Sequence, residues 1–230
     1  MPFLDVPNRV TEIRQRIGLA AQRGGHEQDV RIIAVTKTHG PEAVTAAIDA
    51  GLLDVGENKV QEAIGKQDAM GPGAANATWH LIGRLQRNKV KFLDRFSLFH
   101  AVDSARLADA IALRGATNDR PFDVLLEVNV SGEETKGGFS PDELGREAAR
   151  LKTVMGLRVR GVMTMAPYDA DEATLRRVFS GAREARAVCQ QAGHQAKELS
   201  MGMSGDYEIA VEEGATMVRL GTVLFGERTP

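Results

Sequence analysis

The sequence is poor in the residues that would settle its chemistry at a glance. Its 230 residues contain a single cysteine, Cys189, which excludes an internal disulfide framework and any multi-cysteine zinc site. One cysteine is the usage of a reducing compartment. No excess of one charge is present: 29 Lys and Arg stand against 31 Asp and Glu, a formal net charge of -2. That balance gives no electrostatic case for nucleic acid or an anionic membrane. No apolar run approaches membrane-spanning length. The first residues, "MPFLDVPNRVTEIRQRIGLAAQRGG", mix acidic and basic side chains where a signal peptide needs an unbroken apolar segment. A cytoplasmic, soluble protein is the expectation. Also missing is a G-x-G-x-x-G after the first strand, the mark of a dinucleotide-binding open sheet.

What the chain does have is rhythm. After a segment of helical spacing at 6–21, short apolar runs alternate with helical patterns. "RIIAVTK" (31–37), "LLDVGEN" (52–58), "TWHLIG" (78–83), "SLFHAVD" (97–103), "PFDVLLEVNV" (121–130), "LRVRGVMTMA" (157–166), "AKELSMG" (196–202) and "TMVRLGTVLFG" (216–226) read as eight strands. They are apolar on both faces, as parallel strands covered by helices must be. Helices are predicted between them, including a short one at 86–94, a capping box at Ser140 and Glu143, and a long helix at 171–192. The α/β alternation predicts one (β/α)8 TIM barrel over residues 1–230 with an extra N-terminal helix. A doubly wound sheet is the competitor.

In a barrel the chemistry gathers at the C-terminal ends of the strands. Lys37 closes the first. Alternation places it on the face of Ile33 and Val35, where it is either an amine able to form a Schiff base or a lysine snorkelling to solvent. "SMGMSGD" (200–206), with Ser204 and Gly205, precedes a short helix and lies beside Gly221 and Thr222. Loops after strands seven and eight are a frequent phosphate site in barrels; an ordinary loop with Ser204 as a cap is the alternative. Arg219 sits inside an otherwise apolar strand and needs an acceptor, either a carboxylate or a ligand ring nitrogen. An amine, an anion cradle and a buried arginine at one barrel mouth together suit pyridoxal 5'-phosphate.

Six ordered segments, "AVTKT", "GENKVQEA", "WHLIGRLQRNK", "LEVNVSGEETKGGF", "RGVMTMAP" and "LSMGMSGDYEIAVEEGATMVRLGTVLFGER", are spread over nearly the whole chain. In them the chain resembles the pyridoxal phosphate homeostasis family, related to the N-terminal barrel domain of alanine racemase (PLP fold type III). The resemblance implies an internal aldimine on Lys37. It also implies a phosphate held by Ser204, Gly205, Gly221 and Thr222, Arg219 at the pyridine nitrogen, and Asn58 near the ring. Lys59, following Asn58, departs from a position where the family often has an aromatic or another basic residue.

True racemases carry a further all-β domain that brings a catalytic tyrosine. Here the chain stops four residues after Gly226, and its tyrosines are Tyr168 and Tyr207. Tyr168 is expected at the rim. His80 is the best candidate base, with a satisfied interior histidine as the alternative. The expectation is therefore a non-catalytic protein of PLP homeostasis with no catalytic residue and no metal. We expect a monomer that makes transient contact with PLP-dependent apo-enzymes. A small fold-type III enzyme, such as an amino-acid racemase or decarboxylase, ranks second, and a cofactor-free Schiff-base aldolase third. Met163, Met165, Met201, Met203 and Met217 read as filling of the barrel top, Cys189 as structural, and Lys136 as a solvated loop residue that can visit the phosphate or a second cofactor site.

Overall fold

The computed structural model describes residues 3–133 and 137–226. Eight parallel strands close on themselves in sequence order: β1 (Arg31–Val35), β2 (Asp54–Glu57), β3 (Thr78–Leu81), β4 (Leu98–Val102), β5 (Phe122–Glu127), β6 (Leu157–Met163), β7 (Glu198–Ser200) and β8 (Met217–Leu220). β1 pairs with both β2 and β8, which closes the barrel. The predicted (β/α)8 barrel is the fold observed. Among the described residues no helix is long and apolar enough to cross a membrane.

The predicted N-terminal helix is α1 (Val6–Gly24). Its buried side chains, Val6, Val10, Ile13, Ile17 and Ala20, recur every three or four residues and form one apolar stripe. Gly25 ends it in the left-handed conformation, and its N–H reaches Ala21 O. Helices α2 (Pro41–Asp49), α3 (Val60–Met70), α4 (Ala105–Thr117), α5 (Pro141–Lys152), α6 (Glu172–Gln191), α7 (Tyr207–Glu212) and α8 (Thr222–Phe225) follow their strands. After β3 the short helix predicted at 86–94 is present as a 3-10 helix, Arg87–Arg95. The Ser140 capping box on α5 is present, with Ser140 accepting from Glu143 N. Such a cap stabilises a helix by about 1 kcal/mol.

Strands are shorter than the sequence suggests, and the last is the clearest correction. β8 stops at Leu220, and residues 222–225 are helical where a strand to 226 was expected. Apolar residues there pack α8 beneath α1, where Arg9 Nη1 donates to Leu224 O. On the far side, α7 is tied to α1 by Arg16–Glu208 and by Arg23–Glu212 at 2.6 Å, and to α6 by Arg176–Glu212 at 2.6 Å. A network of this kind is worth more than isolated surface pairs. It anchors the helix that follows the loop at 201–206.

Candidate functional site

The C-terminal pole of the barrel gathers Lys37, Asn58, Arg219 and the Ser204 loop, and each is placed by a different device. Lys37 lies two residues beyond β1, in a turn, and not at the strand terminus proper. The lateral pairs Val35↔Gly56 and Ala34↔Leu220 set this turn between the ends of β2 and β8, with Lys37 level with Asn58 and Gly221 level with Val35. The residues flanking Lys37 are clamped. Thr36 Oγ1 donates to Glu57 Oε1 at 2.5 Å, and Thr36 O accepts from Lys66 Nζ at 2.7 Å. Thr38 N donates to Glu62 Oε1, and Thr38 has a left-handed φ of 69°. Lys66 Nζ also binds Glu57 Oε1 at 2.6 Å and Glu62 Oε1 at 3.1 Å. Burial raises the Glu57 pKa in spite of Lys66 and Thr36, and its Oε2 is buried without a partner. Sequence reasoning missed this clamp. Its one local signal was the Glu62–Lys66 spacing of four residues on a helix.

Asn58 follows β2 and is half-buried. The β3 exit passes so close that a Cβ on Gly83 would lie 2.4 Å from Asn58 O, so only glycine fits there. The Ser204 loop is drawn onto the end of β8: Ser204 Oγ accepts from Gly221 N and Val223 N, both at 3.3 Å. Gly202, at φ 90°, lets the loop turn; a Cβ there would meet Ala210 Cβ at 2.6 Å. Asp206 Oδ1 accepts from Met203 N at 2.6 Å and closes the turn. Gly205 and Thr222 are exposed on the same rim. Two backbone N–H groups therefore converge on one hydroxyl oxygen, with the donor geometry an anion's oxygen also needs.

Arg219 is 5% exposed. Its Nη1 donates to Ser200 Oγ at 2.7 Å and its Nη2 to Thr164 O at 3.0 Å. Among the described residues no carboxylate forms an ion pair with it, so the structural carboxylate allowed by the sequence is not its partner. Burial pulls its pKa down from 12.5 to about 10, against the pull of Asp206 and Glu127. It stays charged at neutral pH, with N–H donors beyond those two bonds. An amine, converging backbone donors and a cation with spare donors fit the aldehyde, phosphate and ring nitrogen of pyridoxal 5'-phosphate.

The other residues singled out divide between core and rim. His80 is buried in the interior, bonded on both ring nitrogens, to His100 and to Asp54. Met163, Met201 and Met217 are core, whereas Met165 and Met203 are more than a third exposed. Tyr168, 94% exposed, is a rim residue. Asn129 organises the loop after β5, accepting from Gly132 N at 3.0 Å. Cys189 is buried, and burial pushes its thiol up to about 12. Lys136 lies outside the described residues.

Glu127, which the sequence reading passed over, ends β5 at this same pole. Its Oε2 is buried without a partner, and burial, then Asp103, raise its pKa.

Comparison with known proteins follows the same lines. Residues 9–229 match the family model of the alanine racemase N-terminal domain. A pyridoxal phosphate homeostasis protein of Aquifex aeolicus is 42% identical over 223 residues, 96% of this chain and 97% of that protein. One from Escherichia coli K12 is 35% identical over 97% of both. PipY of Synechococcus elongatus, solved with PLP bound, superposes with a TM-score of 0.83 at 35% identity, covering 96% of this chain and 100% of PipY. Alanine racemase of Corynebacterium glutamicum shares the fold, with a TM-score of 0.75 at 16% identity, and this chain spans 63% of it. With a family model matched over nearly its whole length and curated relatives above a third identical end to end, the chain belongs to the alanine racemase N-terminal domain family and, within it, to the pyridoxal phosphate homeostasis proteins.

Proposed function

We propose that this protein binds pyridoxal 5'-phosphate covalently through Lys37 and serves the homeostasis of that cofactor by holding it and not by turning over a substrate. The curated relatives are named for pyridoxal phosphate homeostasis, and PipY has been solved with PLP bound. When bound, the cofactor supplies an electrophilic aldehyde, a phosphate and a pyridine nitrogen. The Lys37 amine would take the aldehyde, its backbone steadied by Glu57, Glu62 and Lys66. Ser204, Gly205, Gly221 and Thr222 would hold the phosphate by hydroxyl and backbone donors, and Asn58 would lie beside the ring.

Arg219 carries the non-catalytic part of the reading. A guanidinium charged at neutral pH can only donate, so it would leave the ring nitrogen without a proton. A pyridine in that state withdraws electrons weakly, and carbanion chemistry at a bound amino acid is slow. Amino acids incubated with the loaded protein in deuterium oxide test this directly. We expect no Cα exchange above that of free cofactor, and transfer of the cofactor to a PLP-dependent apo-enzyme. Robust turnover of any amino acid would overturn the reading.

One observation favours a second reading, slow amino-acid chemistry of the kind a small fold-type III enzyme performs. The Glu127 carboxyl, with its raised pKa and its partnerless Oε2, could give or take a proton at this pole. Exchange that is present in the native protein and abolished by Glu127→Gln would establish that reading instead.

A further inference from the structure

A line of polar groups crosses the barrel interior beneath Arg219. Five side chains on five strands take part: Asp54 on β2, His80 on β3, His100 on β4, Ser200 on β7 and Arg219 on β8. Arg219 Nη1 lies 2.7 Å from Ser200 Oγ, which is 3.0 Å from His100 Nδ1. His100 Nε2 lies 2.9 Å from His80 Nδ1, and His80 Nε2 lies 2.8 Å from Asp54 Oδ1. β4 and β7 are not sheet neighbours, so the His100–Ser200 bond spans the lumen. His80, His100 and Ser200 are 1%, 0% and 0% exposed. Exposure is greatest at the far end. The Asp54 side chain is 23% exposed and lines a cavity of about 450 Å³ at the N-terminal pole, together with Arg14, Gln28 and Arg31.

The proton positions follow from donor and acceptor chemistry. A guanidinium donates and never accepts. Ser200 Oγ therefore accepts from Arg219 and has its own proton left for His100 Nδ1. That nitrogen must accept, so His100 carries its proton on Nε2 and donates to His80 Nδ1. His80 in turn carries its proton on Nε2 and donates to Asp54. Only this arrangement satisfies every buried group in the line, and it leaves both imidazoles neutral. Burial, with the nearby charges of Arg219 and Arg31, holds His100 well below its ordinary pKa, in keeping with a neutral ring. Burial raises the Asp54 pKa, but His80 and Arg31 outweigh it and keep the carboxylate charged.

We propose that Asp54, His80, His100 and Ser200 form a positioning relay for Arg219, through which a carboxylate at the N-terminal pole of the barrel sets the orientation and donor strength of the guanidinium that faces the cofactor's ring nitrogen. The role toward the ring nitrogen rests on the function proposed above; the polarity of the relay does not. A proton added to His80 Nδ1 would oppose the N–H of His100, push the His100 proton onto Nδ1 and strand the Ser200 hydroxyl proton in the interior. Arg31 on β1, paired with Glu198 on β7 at 2.6 Å, flanks the Asp54 end. Asp206 and Glu127 flank the Arg219 end.

Two measurements test the relay. Nitrogen-15 NMR of the histidine rings in the cofactor-free protein should show His80 and His100 as neutral Nε2–H tautomers at pH 7. A charged ring, or an Nδ1–H tautomer at either residue, would overturn the proposal whether or not the protein binds the cofactor. The second measurement is a pH titration of the visible absorbance of the protein loaded with pyridoxal 5'-phosphate, together with its affinity. Asp54→Asn keeps an acceptor for His80 but removes the charge. It should weaken binding about three- to tenfold, the effect of one charge-assisted hydrogen bond, and shift the titration, and Asp54→Glu should restore both. A folded Asp54→Asn protein with affinity and titration unchanged would reduce the line to packing. Should that variant not fold, the tautomers of the unsubstituted protein still decide.

Discussion

Arg219→Met separates the two roles open to a buried arginine, a structural ion pair and a ligand donor. In the native protein the guanidinium is held by Ser200 Oγ and Thr164 O, both neutral acceptors. Its pKa is depressed by burial from 12.5 to about 10. A depressed pKa means the folded state disfavours the charged form, so at neutral pH the charge is a cost that fades only as pH rises past about 10. At about 1.4 kcal/mol per unit, that cost is about 3–4 kcal/mol. Against it stand the hydrogen bonds to Ser200 and Thr164, worth about 1.5 kcal/mol each when a charged donor meets a neutral acceptor. The opposing contributions nearly cancel. Methionine fills a similar length without charge, so the cofactor-free variant should differ from the native protein by no more than about 1 kcal/mol, some 2–4 °C in melting temperature for a chain of this size. Loss of the donor to the ring nitrogen should weaken pyridoxal 5'-phosphate binding by about 10- to 100-fold. Urea unfolding with and without cofactor measures both quantities at once, because the ligand adds stability that grows with the logarithm of its concentration relative to Kd. A loss of 3 kcal/mol or more in the cofactor-free protein, the signature of a broken buried ion pair, with affinity unchanged, would refute the reasoning.

Other outcomes follow from neighbouring groups. Glu127→Gln should raise the melting temperature at pH 7–8 by the equivalent of about 1 kcal/mol, since it removes a buried charge with a partnerless oxygen. The Glu127 pKa is raised on folding, so its contribution is favourable in acid and lost as pH rises; the advantage of the variant should vanish in scanning fluorimetry as pH falls below the ordinary glutamate range. Lys66→Met should cost about 3–5 kcal/mol in urea unfolding by leaving Glu57 charged and buried, and Glu57→Gln in the same chain should recover part of that loss. Ser204→Ala should weaken cofactor binding about five- to tenfold, one hydrogen bond's worth, and weaken competition by inorganic phosphate by a similar factor, with little change in stability.

Most of the barrel was legible because its pattern is local. Apolar runs such as "PFDVLLE", separated by helical segments with Pro at the start and Gly past the end, need no partner to be recognised. Strand ends were less so: "VRLGTVLF" is uniformly apolar, and only the turn at Gly221 and the packing of α8 under α1 distinguish strand from helix. Lys37, Ser204 and Arg219 stand out in the sequence because each is polar in an apolar or Gly-rich setting at a strand exit. Their support was hidden. His100 sits in "LFHAV" with no sign that it meets Ser200, 100 residues away, across the lumen. Glu57 and Thr36 meet as lateral neighbours where β1 and β2 pair, with Lys66 reaching back from α3. Contacts of this kind are set by register and strand tilt, which a linear pattern does not carry.

Covalent attachment at Lys37 is the central claim, and borohydride trapping reaches it most directly. The protein incubated with pyridoxal 5'-phosphate should turn yellow, and reduction should bleach the colour and fix the cofactor to the chain. Peptide mapping should then find the modification on Lys37, with the colour absent from Lys37→Ala. A cofactor mapped to Lys66, Lys59 or Lys136 with Lys37 untouched, or undiminished colour in Lys37→Ala, would contradict the account.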